Sequence, residues 1–178
     1  DLHSAKICLY SVDFYEIEKL QQLGDWQASA EILIKAARAV EAGGADFLII
    51  CTNTMHKVAP QIQEAIDIPI LHIADATAEV LKADCIKQVG LLGTRFTMEQ
   101  DFYKQRLIEN HNIQVLVPDE NAQTVVHNVI YEELCLGNIN GGSREKYIKV
   151  IEDLASTGAE AIILGCTEIA LLIQQKHT

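Results

Sequence analysis

Positive charge is scarce in this sequence. Lysine and arginine number 14 against 25 aspartate and glutamate residues, which gives a formal net charge of −11. Binding to nucleic acid depends on clustered basic side chains that release counterions from phosphate. The sequence therefore predicts no nucleic-acid partner, although a helix N-terminus with one or two cations can still bind a small anion.

Long apolar runs are also missing, since none approaches the ~18 residues that span a bilayer. The opening Asp-Leu-His-Ser-Ala-Lys has neither a basic n-region nor an apolar h-region. We therefore expect no membrane anchor and no secretory signal. An initiator Met is lacking, and we expect the true N-terminus to lie further upstream.

The five cysteines are odd in number and widely scattered, unlike a disulfide framework. No Cys-x-x-Cys pair occurs, and the six histidines do not fall four apart beside an acid, so the spacing predicts no metal site. These patterns indicate a reducing, cytoplasmic location.

Short apolar runs alternate with longer segments of helical period, which is typical of βαβ units and a parallel sheet. Strands are predicted at residues 7–10, 46–51, 69–73, 88–93, 113–117 and 160–165. Helices are predicted at residues 25–41, 55–65, 75–83, 97–109, 121–135, 143–156 and 167–175. Thr97 and Gln100 have capping-box spacing, and the glycine-rich residues 136–143 indicate a flexible loop.

A motif is repeated within the chain: residues 44–54 match residues 158–168 without a gap. Each copy reads Gly-Ala-acid, then a buried strand, then small polar residues that open a helix. In open α/β sheets the ligand crevice lies at the carboxyl ends of the strands, where free backbone N–H groups can hold a carboxylate. Ordinary turn chemistry is the purely structural interpretation of the same repeat.

Cys166 follows a strand and precedes a helix, whose partial positive charge is expected to lower the pKa of the thiol. We therefore predict a reactive thiol, against the alternative of a small buried apolar residue. The repeat places Thr52 opposite Cys166. Because strand neighbours point to opposite faces, Cys51 is expected to pack under a helix.

The segments 51–57, 92–97 and 165–168 resemble the signature blocks of the aspartate/glutamate racemase superfamily, and the resemblance covers nearly the whole chain. It implies racemisation of a free amino acid, most often aspartate or glutamate, without pyridoxal phosphate or metal. It also implies two pseudo-symmetric, flavodoxin-like three-layer αβα domains, here residues 1–74 and 75–178, with the active site in the cleft between them. One cysteine from each domain then faces the substrate α-carbon.

The chain departs from this family pattern at Thr52, which occupies the position of the first cysteine. A hydroxyl does not approach the acidity of a thiol, so Thr52 is a poor base that donates a proton or positions a water. The resemblance implies that Cys166 faces the α-proton of the L enantiomer. The expected enzyme therefore favours L-substrates. The resemblance also implies that the intact protein has site residues at both ends, in segments that the 178 residues do not include.

Substrate binding is assigned to hydroxyl, amide and charged groups at the same turns, namely Asn53, Thr54, Thr94, Thr167, Glu168 and Lys57. Helix capping is the alternative role for the hydroxyl and amide groups. Glu168 is a candidate to orient the nearest base or the substrate ammonium, and its alternative role is to compensate the helix dipole. Lys57 and Arg95 are the cations nearest the blocks, with surface roles equally open.

Two histidines and one further segment complete the candidates. His56 is a candidate to tune the thiol or shuttle protons, His72 is predicted to be a core histidine, and residues 11–14 are predicted to end a strand at the crevice.

Two other functions remain open at this point. One is a binding or regulatory protein that kept the crevice and lost the chemistry. The other is a decarboxylase or isomerase of the same superfamily. A homodimer is expected, because it is the commonest oligomer.

Overall fold

The computed structural model describes residues 2–177, which divide into two compact units. The first unit comprises residues 2–51 and Met55–His72, and the second comprises Thr52–Thr54 and residues 73–177. The expected pair of domains, residues 1–74 and 75–178, stays a prediction.

The first unit is built mainly from helices. They are α1 (Phe14–Leu23), α2 (Trp26–Ala42) and α3 (Ala59–Glu64), with a 3₁₀ segment at Thr54–Val58. One buried residue from each helix, Ile17, Ala30 and Ile62, packs in a shared core with Leu48 and Ile50.

The strands predicted in this unit are wrong. Residues 46–51 and 69–73 meet only in one parallel bridge, where Leu48 N donates to Pro69 O and Leu71 N donates to Leu48 O, both at 2.9 Å. Residues 7–10 form no strand and are exposed. An apolar run becomes a strand only where a neighbouring chain segment accepts and donates its ladder hydrogen bonds, and sequence periodicity does not reveal that neighbour.

The second unit contains a parallel sheet of three strands. They are β1 (Gln88–Leu92), β2 (Gln114–Leu116) and β3 (Ala161–Leu164), with β1 in the centre. The strands predicted at residues 88–93, 113–117 and 160–165 are therefore confirmed to within one residue at each end. The predicted α/β class with a parallel sheet is confirmed as well.

Helices cover both faces of this sheet. Because successive strand residues point to opposite faces, Val89 and Leu91 pack with α4 (Ile73–Ala83) and α6 (Asp101–His111), whereas Leu92 packs in the opposite core. That opposite layer consists of α7 (Glu120–Asn128), α8 (Gly141–Ser156) and α9 (Ile169–Leu172). The short α5 (Arg95–Glu99) follows β1. The second unit is thus a three-layer αβα arrangement.

Several helix boundaries differ from the prediction for local reasons. Residues 11–14 do not end a strand, because Asp13 caps α1 and accepts a hydrogen bond from Tyr15 N at 3.0 Å. The helix predicted over residues 97–109 is interrupted at Gln100, whose backbone is extended. The helix predicted over residues 167–175 is reduced to α9. Among the described residues, none of the helices is long and apolar enough to cross a membrane.

A charged contact around Asp75 joins α4 to α6. Arg106 donates to both carboxylate oxygens, from Nε at 2.7 Å and from Nη2 at 2.6 Å. The His111 Nε2 atom lies 2.8 Å from Oδ1 of the same carboxylate. The hydrogen bond to Asp75 is the main cause that raises the pKa of Arg106. Two-point contacts of this kind hold one relative orientation of two helices.

We predict that Asp75→Asn lowers the free energy of unfolding by about 1 kcal/mol, because it removes the charge while it keeps the shape, and both partners are about one-third exposed. Asp101→Asn is the matched control, since Asp101 makes only an exposed contact to Lys104 at 3.8 Å. Chemical denaturation of both variants measures the difference. Equal losses would show that the two-point contact adds nothing beyond surface charge.

Candidate functional site

The carboxyl ends of β1 and β3 lie side by side, and a glycine follows each strand. A Cβ atom built on Gly165 would lie 2.9 Å from the backbone oxygen of Leu92, and one built on Gly93 would lie 3.2 Å from the backbone oxygen of Gly165. The first distance is too short for a side chain unless the backbone shifts, and the second is tighter than most Cβ contacts. The close approach brings the turn at Thr94 next to the turn at Cys166, two of the predicted site segments.

Cys166 and Glu168 form a hydrogen-bonded pair at the end of β3. The Cys166 thiol donates to Glu168 Oε2 at 2.8 Å, and the Thr167 hydroxyl donates to the same oxygen at 3.0 Å. Burial acts to raise the pKa of Glu168, but the hydrogen bond from Cys166 and the other hydrogen bonds outweigh it, so the pKa is lowered. Glu168 is therefore a carboxylate anion that accepts from the thiol, and the three predicted residues Cys166, Thr167 and Glu168 are in contact.

The expectation that the pKa of Cys166 is lowered is wrong. Burial raises the pKa of this thiol, and the hydrogen bond to the anionic Glu168 raises it further. The helix that follows is α9, which has four residues, too few to build a substantial dipole. The resting group is therefore a thiol, and its proton lies on a hydrogen bond toward a carboxylate.

Two residues near this pair were missed by sequence reasoning. Tyr147 of α8 is fully buried, and its hydroxyl donates to Val126 O at 2.8 Å. Burial, followed by the negative charge of Cys166 in its ionised form, raises the pKa of Tyr147. Burial and the charge of Glu168 also raise the pKa of Cys135. The surroundings of Cys166 thus oppose any further negative charge, which keeps the thiol protonated at rest.

Three threonine hydroxyls meet beside the end of β1. The distance between the hydroxyl oxygens of Thr54 and Thr94 is 3.3 Å, between Thr54 and Thr97 it is 3.4 Å, and between Thr94 and Thr97 it is 3.3 Å. Thr54 and Thr94 were predicted site residues. Thr97 was predicted to cap a helix with Gln100, which is wrong, since Thr97 lies inside α5 and Thr94 occupies the N-cap position. The sequence feature that could have predicted this contact is the spacing of three residues between Thr94 and Thr97, which puts both side chains on one side of a helical turn.

Thr52 and Asn53 belong to the second unit, as Cys166 does. The side chain of Thr52 is exposed, whereas Asn53 is buried. Cys51 is exposed, so the expectation that it packs under a helix is wrong. Strand alternation still holds here, because Ile50 is buried and Cys51 is not.

The candidate cations have identified neighbours. In the first unit, the Lys57 ammonium lies 4.0 Å from the centre of the Trp26 ring, and burial lowers the pKa of Lys57. In the second unit, Arg95 Nη2 donates to the Thr124 hydroxyl at 3.1 Å, and Arg95 Nε lies 3.6 Å from Glu99. Arg95 thus has contacts that suit its alternative surface role.

His56 and His72, both in the first unit, contact each other. His56 and His72 are both buried, with ring centres 4.3 Å apart in an edge arrangement. The prediction of a core position for His72 is confirmed. Among the described residues, no group of three His, Cys, Asp or Glu side chains could hold a metal ion.

With this geometry established, comparisons with known proteins identify the family. The model of the Asp/Glu/Hydantoin racemase family matches residues 1–178. The chain belongs to this family. The resemblance of the three signature blocks is therefore confirmed.

Solved structures agree with the family assignment. A Yersinia pestis protein crystallised as a candidate Asp/Glu racemase is 53% identical, with a TM-score of 0.93, and the match covers 100% of this chain and 77% of that one. An aspartate racemase homologue from Pyrococcus horikoshii OT3 is 36% identical, with a TM-score of 0.81, over 95% of this chain and 73% of that one.

A curated relative is matched over a smaller part of its length. The glutamate racemase of Hydrogenobaculum sp. is 32% identical over 126 residues, which are 70% of this chain. The match spans 46% of that protein, or about half of its length.

We predict that Glu168→Gln lowers the pKa of Cys166, because it removes the carboxylate charge that disfavours the thiolate. Alkylation of Cys166 by iodoacetamide at pH 8 to 9 should then become several-fold faster. Mass spectrometry of the peptide that contains Cys166 measures this rate. Glu160→Gln, at the opposite end of β3, is the control and should leave the rate unchanged. A slower rate in Glu168→Gln would mean that the carboxylate promotes the thiolate instead.

Proposed function

We propose that this protein is an amino-acid racemase that interconverts L- and D-aspartate, L- and D-glutamate, or both, by removal and return of the α-proton without a cofactor. Family membership and the names of the racemase relatives support this proposal. The observation that carries it is the hydrogen bond between the Cys166 thiol and the Glu168 carboxylate.

The reaction begins with transfer of the Cys166 proton to Glu168. The raised pKa of the thiol means that this transfer is unfavourable at rest, and it also makes the resulting thiolate a strong base. The thiolate then takes the α-proton of the L-substrate and becomes a thiol again, while the substrate carries the electron pair as a carbanion. Protonation of that carbanion on the opposite face completes inversion.

The second proton comes from Thr52, either from its hydroxyl or from a water that it positions. The alkoxide or hydroxide left behind then takes up, through solvent, the proton that Glu168 received, which restores both groups, and Thr52 is exposed to that solvent. A hydroxyl oxygen is a far weaker base than a thiolate at neutral pH, so Thr52 can supply a proton more readily than it can remove one. Reaction from the L-substrate therefore uses the stronger base. Asn53, Thr54, Thr94 and Thr167 bind the α-carboxylate and ammonium, and the role of Lys57 as a cation for the side-chain carboxylate stays a prediction.

We predict that kcat from L-aspartate or L-glutamate exceeds kcat from the D enantiomers by about tenfold or more, with KM larger by the same factor, because the equilibrium constant of one makes kcat/KM equal in both directions. Circular dichroism or chiral chromatography of the early reaction at saturating substrate measures the two kcat values. Equal kcat values from both enantiomers would remove the assigned role of Thr52.

A cysteine pair tests the register of the repeat. Cys166→Ala should reduce turnover by at least about a thousandfold, because it removes the base. Cys51→Ala is the matched control one residue from Thr52 and should retain most of the activity, since its exposed thiol has no role in the proposed reaction. The reverse pattern would show that Cys51 is the reactive thiol.

A binding protein is the competing function, and the observation that favours it is Thr52, an exposed hydroxyl and a poor base at the position opposite Cys166 in the repeat. Incubation with L-glutamate and L-aspartate in deuterium oxide separates the two, because a racemase exchanges the α-hydrogen and a binding protein does not. Release of carbon dioxide from an arylmalonate, or turnover of maleate, would instead support a decarboxylase or isomerase. Assembly as a homodimer and a cytoplasmic location stay predictions.

A further inference from the structure

The hydroxyls of Thr54, Thr94 and Thr97 form a buried trio. Thr97 is fully buried at 0% exposure, and the residues Thr54 and Thr94 are each 7% exposed. The three oxygens are about equally spaced, at 3.3 to 3.4 Å. Thr97 is therefore the most enclosed residue of the trio.

The number of protons in the trio limits its hydrogen bonding. Each hydroxyl offers one donor hydrogen and two acceptor positions. Because a buried polar group without a partner is costly, the Thr97 proton must be donated to Thr54 or Thr94. The hydroxyl that accepts it keeps an internal partner even when it donates its own proton to a bound carboxylate. Without Thr97, the internal hydrogen bond left to Thr54 and Thr94 is the one between them, and the proton in that bond is not donated to the carboxylate.

The methyl group of Thr97 has a second contact. A Cβ atom on Gly93 would lie 3.2 Å from Thr97 Cγ2, and one on Gly165 would lie 3.3 Å from it. Thr97 therefore packs at the place where the two strand ends approach each other, directly before Cys166. Its hydroxyl contacts the threonine trio, and its methyl contacts the backbone that carries the thiol.

We propose that Thr97 is a positioning residue, whose buried hydroxyl turns the O–H groups of Thr54 and Thr94 outward to donate to a substrate carboxylate. This inference rests on the proposed function, since it assigns the substrate carboxylate to Thr54 and Thr94. Two substitutions separate the two contacts of Thr97. Thr97→Val keeps a methyl and removes the hydroxyl, and Thr97→Ser keeps the hydroxyl and removes the methyl.

The experiment measures binding and turnover separately. Calorimetric titration with L-aspartate and L-glutamate, in the Cys166→Ala background, gives the Kd without chemistry. Initial rates with Cys166 intact give KM and kcat. Thr97→Val should raise Kd and KM by about tenfold, as expected for loss of an aligned hydrogen bond to a charged group, with kcat within about twofold. Thr97→Ser should restore Kd to within about twofold of the parent.

Thr157→Val is the control for the chemical change, because the Thr157 hydroxyl also makes a hydrogen bond, donating to Leu154 O at 2.8 Å, and Thr157 lies at the end of the sheet away from Cys166. It should leave Kd, KM and kcat unchanged. Thermal unfolding of each variant confirms that it is folded, and Thr97→Ser remains informative if Thr97→Val does not fold, since the inference requires it to bind like the parent.

Different results overturn the two proposals. Equal Kd values for Thr97→Val and the parent, or the same loss in Thr97→Ser as in Thr97→Val, would overturn the role of the Thr97 hydroxyl while leaving racemisation intact. Parent protein that binds the amino acids without exchanging the α-hydrogen would overturn racemisation while the Kd comparison still decides the role of Thr97. Parent protein that binds neither amino acid would overturn both.

Discussion

The parallel strands β1 and β3 end side by side, and their last turns approach so closely that a Cβ atom on Gly165 would lie 2.9 Å from the Leu92 backbone oxygen. This approach sets the position of the candidate site in the second unit. It places the turn that carries Cys166 against the turn that carries Thr94, and Thr97 packs where they meet. A larger residue at Gly165 would have to displace the Leu92 backbone, not only a side chain, so the positions of the residues that follow Gly165 depend on this glycine.

Charge in the same region is arranged against easy ionisation of the thiol. Burial and the Glu168 carboxylate both raise the pKa of Cys166, and the pKa of Glu168 is lowered because it accepts a hydrogen bond from the thiol. The α-proton of an amino acid is only weakly acidic, so a base with a high pKa suits its removal better than an easily formed thiolate does. In the proposed reaction Glu168 receives the thiol proton, and the raised pKa of Cys166 makes the thiolate formed there a strong base.

The internal repeat shows how far local sequence determines local structure. Residues 158–168 contain β3, which pairs with β1, whereas the matching residues 44–54 contain only the bridge from Leu48 to Ile70. The apolar pattern is similar in both copies. The difference lies in the neighbours, because one copy lies beside a strand with a complete ladder and the other has one short contact.

The sequence by itself determined the α/β class, three parallel strands to within one residue, and the turn that bears Cys166, Thr167 and Glu168. Apolar period, glycine position and the repeat are local properties that survive in any compact arrangement of the chain. Only the tertiary structure decided the direction of the Cys166 pKa, the exposure of Cys51 and the contact of Thr97 with Thr54, which is 43 residues away. These properties depend on burial, on a carboxylate acceptor and on hydrogen bonds between distant segments. Such tertiary contacts are not specified by any local sequence pattern.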